Sequence, residues 1–320
     1  HRRKAGTDMA TYQLRENRVW RPSLGGAKLD ALAGRSEGTP GHYPERWIAS
    51  TTGTASGEGY SRLTDGRRLR DVLGRDTGVL VKLLDSYSRL MIQVHPDDEA
   101  AQRLFQQPCG KTECWYILDT QAVDGVEPFV FLGFRAGVTP ARWREVFAVQ
   151  DIPAMEAMLN RIPVKPGDCF LVPPGVPHAM GSGVFFAEAQ QPSDLVFRTE
   201  YITPAGERLP DEALHLGAGF DAMFSCFDYR PSSPEAFRAA PQGDTILSSK
   251  WFSIFRPRPG VCYPAAGGVA LVALAGEGTV NGVPLRRGGE LYLDEDFEMS
   301  GGIEALAFTG PAAGESASLV

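Results

Sequence analysis

The twelve residues GDCFLVPPGVPH, at positions 167 to 178, limit the possible folds more than any other stretch of this sequence. Gly167 forms a turn before the short apolar run CFLV, and the segment PPG then forms a second tight turn. An apolar run of this length between two turns predicts a short β-strand. The second turn delivers His178 to the start of the next strand, so the segment predicts β-structure with a histidine beside a turn.

The composition extends this prediction to the rest of the chain. The 320 residues include 36 glycines and 24 prolines, which indicates many turns and therefore many short strands. The length is sufficient for one large domain or two modest ones. Residues 224 to 320 again read as short strands separated by glycine turns. We therefore predict an all-β protein with two halves of similar character.

Three segments interrupt the strands with helical patterns. DDEAAQRLF, TPARWREVF and IPAMEAMLN predict short helices near 97–106 and 139–160, and 211–223 reads as a helix between the two halves. Asp97 and Asp98 lie at a helix start, where carboxylates interact favourably with the helix dipole. We expect these two acids to serve the helix and the solvent, and not to bind a metal.

Four side chains have the chemistry of a metal site. If RLMIQVH is a strand, Gln93 and His95 point to the same side, because strand side chains alternate. In KTECWYI, Lys111 and Glu113 likewise share a side. The four candidate ligands offer two imidazole nitrogens, one carboxylate and one amide oxygen; they are Gln93, His95, Glu113 and His178. Such a mixture suits one Zn²⁺ per chain, or Mn²⁺, Co²⁺ or Fe²⁺.

Structural roles remain as alternatives for several of these residues. Glu113 could be an edge-strand carboxylate, and Lys111 could be a solvated turn lysine. Arg198 could be a structural partner for Asp194 or Glu200.

Other conspicuous residues are expected to be structural. Trp115 and Tyr116 are expected to pack and not to stack on a sugar. His215 lies between leucines on a helical pattern, so we expect a structural role for it.

Two resemblances to known proteins support the predicted metal site. Gly167, Pro173, Gly175 and His178 have the spacing of the second conserved motif of cupin barrels, which this segment resembles. More specifically, several motifs in order between about residues 20 and 215 resemble the short bacterial type I mannose-6-phosphate isomerases: SLGGAKL, ERWIAS, LLDSYSRLMIQVHPDDEAA, GKTECWYIL, FVFLGF, GDCFLVPPGVPHAMGSG and EAQQPSDLVFR.

The resemblance implies a fold and a domain order. The expected fold class is all-β, with two cupin-like (jelly-roll) β-barrels and inserted short helices. Residues 1–19 are expected to be a tail that could be disordered, and 20–223 the metal-binding catalytic cupin domain with helical insertions. Residues 224–320 are expected to form a second cupin-like domain without metal. That part contains no histidine, which excludes a histidine-based site there.

The resemblance also implies an activity. It implies a metal bound by Gln93, His95, Glu113 and His178, with active-site roles for Lys111 and Arg198. The implied reaction is a metal-dependent aldose–ketose isomerisation of mannose 6-phosphate to fructose 6-phosphate through an enediol.

The general base of this reaction is left open. Lys111 could serve in its neutral amine form, and Glu188 is another candidate. Two alternative functions are isomerisation of an unphosphorylated aldose and binding of a sugar without turnover.

Two departures from the family pattern concern phosphate recognition. Met91 stands where the family has a serine that helps to hold the phosphate, and a thioether cannot donate a hydrogen bond. Further along, the aromatic-Arg-x-Tyr-Asp pattern of the family is replaced by FRTEY, which keeps Arg198 but changes its surroundings.

The remaining expectations concern partners and location. The net charge of −7 argues against a broad basic surface for nucleic acid, and no apolar run is long enough to span a membrane. The start of the chain has no signal-peptide pattern. Five cysteines without CxxC spacing favour a reducing compartment, so we expect a cytoplasmic protein. The expected partner is a small sugar or sugar phosphate, and the expected state is a monomer or homodimer.

Overall fold

The chain folds mainly into antiparallel β-sheets. The computed structural model describes residues 10–54 and 57–311. The strands are β1 (Thr11–Gln13), β2 (Arg18–Val19), β3 (Glu45–Ile48), β4 (Leu80–Ser86), β5 (Gln93–Val94), β6 (Glu113–Thr120), β7 (Phe129–Phe134), β8 (Leu159–Pro163), β9 (Cys169–Val172), β10 (His178–Met180), β11 (Val184–Gln190), β12 (Phe197–Arg198), β13 (Thr245–Ser248), β14 (Ser253–Phe255), β15 (Cys262–Tyr263), β16 (Val269–Ala275), β17 (Glu277–Val280), β18 (Val283–Arg286), β19 (Glu290–Leu293), β20 (Phe297–Gly301) and β21 (Glu304–Thr309).

The helices are short and lie between these strands. They are α1 (Ala27–Leu32), α2 (Leu69–Leu73), α3 (Asp98–Phe105), α4 (Pro140–Ala148), α5 (Ile152–Ala157), α6 (Asp211–His215) and α7 (Phe220–Ser225), with a 3₁₀ turn at Pro234–Phe237. The helices predicted near 97–106 and 139–160 correspond to α3, α4 and α5. Asp97 accepts a hydrogen bond from Ala100 N and so caps α3, as its sequence position predicts. No helix in the described part of the chain is long and apolar enough to cross a membrane.

Four sheets form successive layers. The strand orders are β2-β3-β4-β11-β6-β9 and β12-β5-β10-β7-β8 in the N-terminal part, and β1-β19-β16-β21-β14-β13 and β15-β20-β17-β18 in the C-terminal part. One core lies between the two N-terminal sheets, and another lies between the two C-terminal sheets. A third joins the two six-stranded sheets, and a fourth packs the helices onto the five-stranded sheet. The predicted mostly β fold with short inserted helices is therefore confirmed, while the closure of the sheets into two barrels stays a prediction.

The central strand β11 shows how this layering leads to a site. Its sequence VFFAEAQ is buried along its whole length, because both faces of the strand pack against other layers. Phe185 and Ala187 belong to the core between the six-stranded sheets, whereas Val184 and Phe186 belong to the core between the N-terminal sheets. By alternation, Glu188 follows Val184 and Phe186 on the second side. Apolar packing is thus replaced by polar side chains toward the end of this strand.

The beginning of the chain departs from the predicted tail. β1 pairs antiparallel with β19, so residues 11–13 form an edge strand of the C-terminal six-stranded sheet. β2 pairs with β3 in the N-terminal sheet. The expectation of a tail over 1–19 is corrected for these strands, because both make backbone pairs with distant segments; residues 1–9 lie outside the described residues. The division into two domains near residue 223 stays a prediction.

Candidate metal centre

Three strands bring the predicted ligands to one point between the N-terminal sheets. Gln93 begins β5, Glu113 begins β6 and His178 begins β10, while His95 directly follows β5. Gln93 and His178 are register partners in neighbouring strands. The Gly175 N–H donates to the His95 carbonyl at 2.9 Å, and Gly175 has a φ of 78°, which favours glycine. The PPG turn thus connects the two histidine segments directly.

His95, Glu113 and His178 form a compact buried group that can hold a metal ion. Their candidate ligand atoms all lie within 4.8 Å of one another. His95 Nε2 is 3.2 Å from Glu113 Oε2, and His178 Nε2 is 3.3 Å from Glu113 Oε1. All three side chains are at most 1% exposed. Two imidazoles and one carboxylate are the donor set that the sequence predicted at this place.

The opposite nitrogen of each imidazole has its own partner. His95 Nδ1 lies 2.9 Å from the Leu195 carbonyl, and His178 Nδ1 lies 2.9 Å from the Val176 carbonyl. Because a carbonyl oxygen only accepts, Nδ1 carries the hydrogen in both rings. In the neutral rings, the lone pair of each Nε2 is therefore the one that is directed toward Glu113 and that can coordinate a metal.

The electrostatics favour neutral imidazoles and an ionised carboxylate. Burial, followed by repulsion from Lys111, lowers the pKa of His95 to about 3. Burial also lowers the pKa of His178. Burial by itself raises the pKa of Glu113, but the Lys111 ammonium and then His95 hold this pKa well below its usual value. These are the protonation states in which all three side chains coordinate metal ions.

Gln93 completes the predicted ligand set. Its amide nitrogen lies 3.2 Å from His178 Nε2, so the amide group reaches the centre. The two ends of an amide exchange by rotation, and rotation of the Gln93 amide would present its oxygen instead. Glu113 Oε2 lies 2.9 Å from Lys111 Nζ and 3.2 Å from His95 Nε2, so this carboxylate oxygen also faces the centre. An N/O-ligated divalent ion such as zinc therefore fits this donor set.

A cleft opens beside this group. It is lined by Arg21, Pro22, Ser23, Glu45, Lys82, Leu84, Leu90, Met91, Gln93, Lys111, Glu188, Asp194, Val196, Arg198 and Pro204. All three predicted catalytic residues, Lys111, Glu188 and Arg198, lie in this lining. Met91, which precedes β5, lies there too and shares the lining with Gln93.

Lys111 and Glu188 each form a buried ion pair in the cleft. Lys111 is 5% exposed and contacts both Glu113 and His95 Nε2, the latter at 3.1 Å, so it is not a solvated turn lysine. Glu188 pairs with Lys82 at 3.1 Å. Burial raises the pKa of Glu188, which increases the proton affinity of its carboxylate.

Arg198 is not the structural partner of either acid proposed for it. Asp194 pairs with Arg21 at 2.9 Å, and Glu200 pairs with Arg89 at 2.8 Å. Arg198 instead donates from Nη1 to the Ala213 carbonyl at 3.1 Å. Burial, and then repulsion from Arg21, lowers the pKa of Arg198 to about 10, so the guanidinium is still charged at neutral pH.

The sequence analysis missed three residues of the site and one role of a fourth. Trp115 packs in the core as expected, and in addition its Nε1–H donates to Glu113 Oε1 at 3.0 Å and its ring packs edge-on against His178. Its position two residues after Glu113 in a strand was a usable signal, because the two side chains share a face. Lys82, Arg21 and Glu45 were not singled out, since nothing local in the sequence connects them to the histidines.

His215 lies outside the cleft lining. Its Nδ1 accepts hydrogen bonds from Gly217 N and Gly219 N, and its ring packs edge-on against Phe220. These contacts fit the structural role expected for it.

The fold and the site together define a mostly β, cupin-like protein with a buried His–Glu–His group that can hold a divalent metal ion. No family model matches the chain. A mannose-6-phosphate isomerase of Streptococcus mutans is 30% identical over 248 residues, which span 72% of this chain and 73% of that protein. A probable mannose-6-phosphate isomerase of Bacillus subtilis is 32% identical over 185 residues, which span 57% of this chain and 56% of that protein. The chain belongs to the mannose-6-phosphate isomerase family.

Solved structures extend the similarity over nearly the whole chain. The mannose 6-phosphate isomerase from Bacillus subtilis has a TM-score of 0.73 at 22% identity and covers 93% of this chain and 99% of its own. A mannose 6-phosphate isomerase bound with zinc and yttrium has a TM-score of 0.68 at 16% identity, with 94% and 99% coverage. At these identities the likeness concerns the fold.

Proposed function

We propose that this chain interconverts mannose 6-phosphate and fructose 6-phosphate, with one Zn²⁺ held by Gln93, His95, Glu113 and His178. The observation that carries this proposal is the convergence of two Nε2 lone pairs and a buried carboxylate beside a cleft with acid, base and cationic groups. Family membership and the zinc-bound structural relative support the choice of reaction and metal.

Aldose–ketose isomerisation moves a proton between C1 and C2 and passes through an enediol. A divalent ion at this centre supplies a Lewis acid that stabilises the developing negative charge on the substrate oxygens. The chain itself must supply a group that takes the proton from one carbon and returns it to the other.

We assign the proton transfer to Glu188 and leave Lys111 as a donor to a substrate oxygen. Glu188 is a carboxylate whose raised pKa increases its proton affinity, which suits a general base. Lys111 contacts Glu113 and His95, so its ammonium lies next to the centre where charge would develop. Proton exchange with solvent distinguishes the two roles. Glu188→Gln should abolish exchange of the substrate C2 proton, whereas Lys111→Met should slow this exchange without abolishing it.

Arg198 is proposed to hold the anionic end of the substrate. Arg21 and Lys82 have carboxylate partners in the cleft, whereas Arg198 donates a hydrogen bond to the Ala213 carbonyl. A guanidinium offers several donors to a phosphate in a fixed planar arrangement. Among the described residues that line the cleft, Arg21, Lys82 and Lys111 all have carboxylate partners, so we assign the anion to the Arg198 guanidinium.

An unphosphorylated aldose remains the second candidate substrate, because the cleft places the apolar Met91 beside Gln93. Zinc-loaded protein offered mannose 6-phosphate and free mannose side by side distinguishes the two. We expect a higher kcat/KM for the phosphorylated sugar. Preference for free mannose would reverse the assignment of substrate, and turnover of neither sugar would favour binding without catalysis.

We also propose a cytoplasmic location. All five cysteines are free, which agrees with a reducing compartment.

A further inference from the structure

Glu200 occupies the end of the strand pair that carries both Gln93 and Arg198. β12 and β5 pair through Phe197 with Val94 and through Arg198 with Gln93. The ladder continues one step further, because Thr199 N–H donates to the Ile92 carbonyl at 3.0 Å. The Thr199 hydroxyl donates to the same carbonyl at 3.1 Å. Ile92 therefore connects the two strands between Met91 and Gln93.

The reciprocal backbone bond of this step is replaced by a side chain. In a regular antiparallel pair, Ile92 N–H would donate to the Thr199 carbonyl. That carbonyl instead accepts from the Gln150 side chain at 3.2 Å, and Gln150 Oε1 accepts from Tyr201 N–H at 2.9 Å. Ile92 N–H donates to Glu200 Oε1 at 2.6 Å. The Glu200 carboxylate thus replaces the Thr199 carbonyl as the acceptor for Ile92 N–H at the end of the β5–β12 pair.

Arg89 holds this carboxylate from the other side. Its two terminal nitrogens donate to the two oxygens of Glu200, each at 2.8 Å, and Nη1 also donates to the Leu90 carbonyl at 2.7 Å. The Glu200 side chain is 5% exposed and that of Arg89 is 24% exposed, so the carboxylate end of this bidentate pair is largely shielded from water. Arg89, Glu200 and the Ile92 N–H form a unit that we call the Glu200 clamp.

We propose that Glu200 is a positioning residue that sets the register of Met91 and Gln93 against Arg198. The inference rests on the proposed function, in which Gln93 binds the metal and Arg198 binds the anionic end of the substrate. Next to the backbone pairing of Gln93 with Arg198, one buried carboxylate then holds the segment before Gln93 in place relative to the anion anchor. Loss of the clamp frees the segment before Gln93 while the pairing of Phe197 with Val94 persists. The effect should fall on substrate affinity and on metal affinity, and less on the chemical step.

The chain provides a closely matched control. Glu156, on α5, also pairs with Arg89, at 3.0 Å from Nε, and its side chain is 32% exposed. Glu156→Gln removes a carboxylate from the same arginine without touching Ile92. A difference between variants at the two positions therefore reports the clamp and not the general loss of an Arg89 ion pair.

The experiment compares Glu200→Ala, Glu200→Gln and Glu156→Gln in the full chain. Mannose 6-phosphate kinetics and zinc affinity, measured by competition with a chromophoric chelator, are the two readouts. We expect Glu200→Ala to raise KM by about fivefold or more, to change kcat by less than about twofold, and to weaken zinc binding several-fold. Glu200→Gln keeps an acceptor for Ile92 N–H and should recover part of both losses. Glu156→Gln should match wild type in both readouts.

Several outcomes would overturn the inference. Unchanged KM and zinc affinity in Glu200→Ala would do so, as would an equal change in Glu156→Gln. A fall in thermal stability alone would mean that Glu200 is merely structural. If Glu200→Ala does not fold, Arg89→Gln takes its place, and an unaltered KM and zinc affinity there counts against the clamp. If the wild type turns over no sugar, the proposed function fails, while zinc competition still tests the clamp because it requires no turnover.

Discussion

Trp115 tests whether a hydrogen bond to a proposed ligand raises the metal affinity of the candidate centre. Its Nε1–H donates to Glu113 Oε1 at 3.0 Å, and the Trp115 residue is 2% exposed. Trp115→Phe removes this donor and keeps most of the aromatic surface. The donor fixes which way the carboxylate points, so its loss should weaken metal binding.

The expected magnitude follows from the charge and burial of the pair. A hydrogen bond to a charged group is worth about 1.5–3 kcal/mol, or roughly tenfold to a hundredfold in affinity. Loss of an outer partner of a metal ligand typically costs about 10–100-fold in metal affinity. The two figures agree, and we expect zinc affinity to fall by about tenfold or more in Trp115→Phe.

Trp47 provides the matched control for this prediction. It is fully buried in the same sheet, and its Nε1–H donates to Glu45 Oε2 at 2.7 Å, again two residues away. Trp47→Phe leaves a similar cavity but does not touch a proposed ligand. Zinc affinity measured by chelator competition should be unchanged in Trp47→Phe. Equal zinc affinity in Trp115→Phe and wild type, or an equal loss in both variants, would refute the reasoning.

Three further predictions test the centre and the cleft. His178→Ala should lose its metal, as measured by elemental analysis, whereas His215→Ala should keep it; unchanged metal content in His178→Ala would refute the ligand assignment. Met91→Ser should raise kcat/KM selectively for mannose 6-phosphate, by roughly tenfold to a hundredfold at most, because it supplies a hydroxyl donor; no change on either sugar would mean that Met91 does not face the phosphate. The low pKa of His95, about 3 against an ordinary 6.5, means that the unfolded chain binds more protons between these values. The metal-free protein should therefore lose stability as the pH falls from 6.5 toward 3, and chemical denaturation across this range checks the sign; constant stability would mean that His95 is exposed or already protonated.

Local patterns in the sequence were sufficient for the elements and for much of the site. Asp97 and Thr139 cap the first turns of α3 and α4 with their side chains, which requires only neighbours along the chain. The glycine and proline turns within 167–178 also depend only on nearby residues, and they place His178 at the start of a strand. Alternation along a predicted strand put Gln93 and Met91 on one side, and both line the cleft. These interactions act over a few residues, so the sequence carries them directly.

The tertiary structure alone decided which charges pair. Arg21 reaches Asp194 across 173 positions, which leaves Arg198 without that carboxylate. Glu188 is matched with Lys82 because β11 and β4 are neighbours in register. The attachment of β1 to β19 likewise joins segments from opposite ends of the chain. Ion pairs and sheet edges depend on distances between segments that are remote in sequence, and no local pattern records those distances; only the packing of the layers brings the partners together.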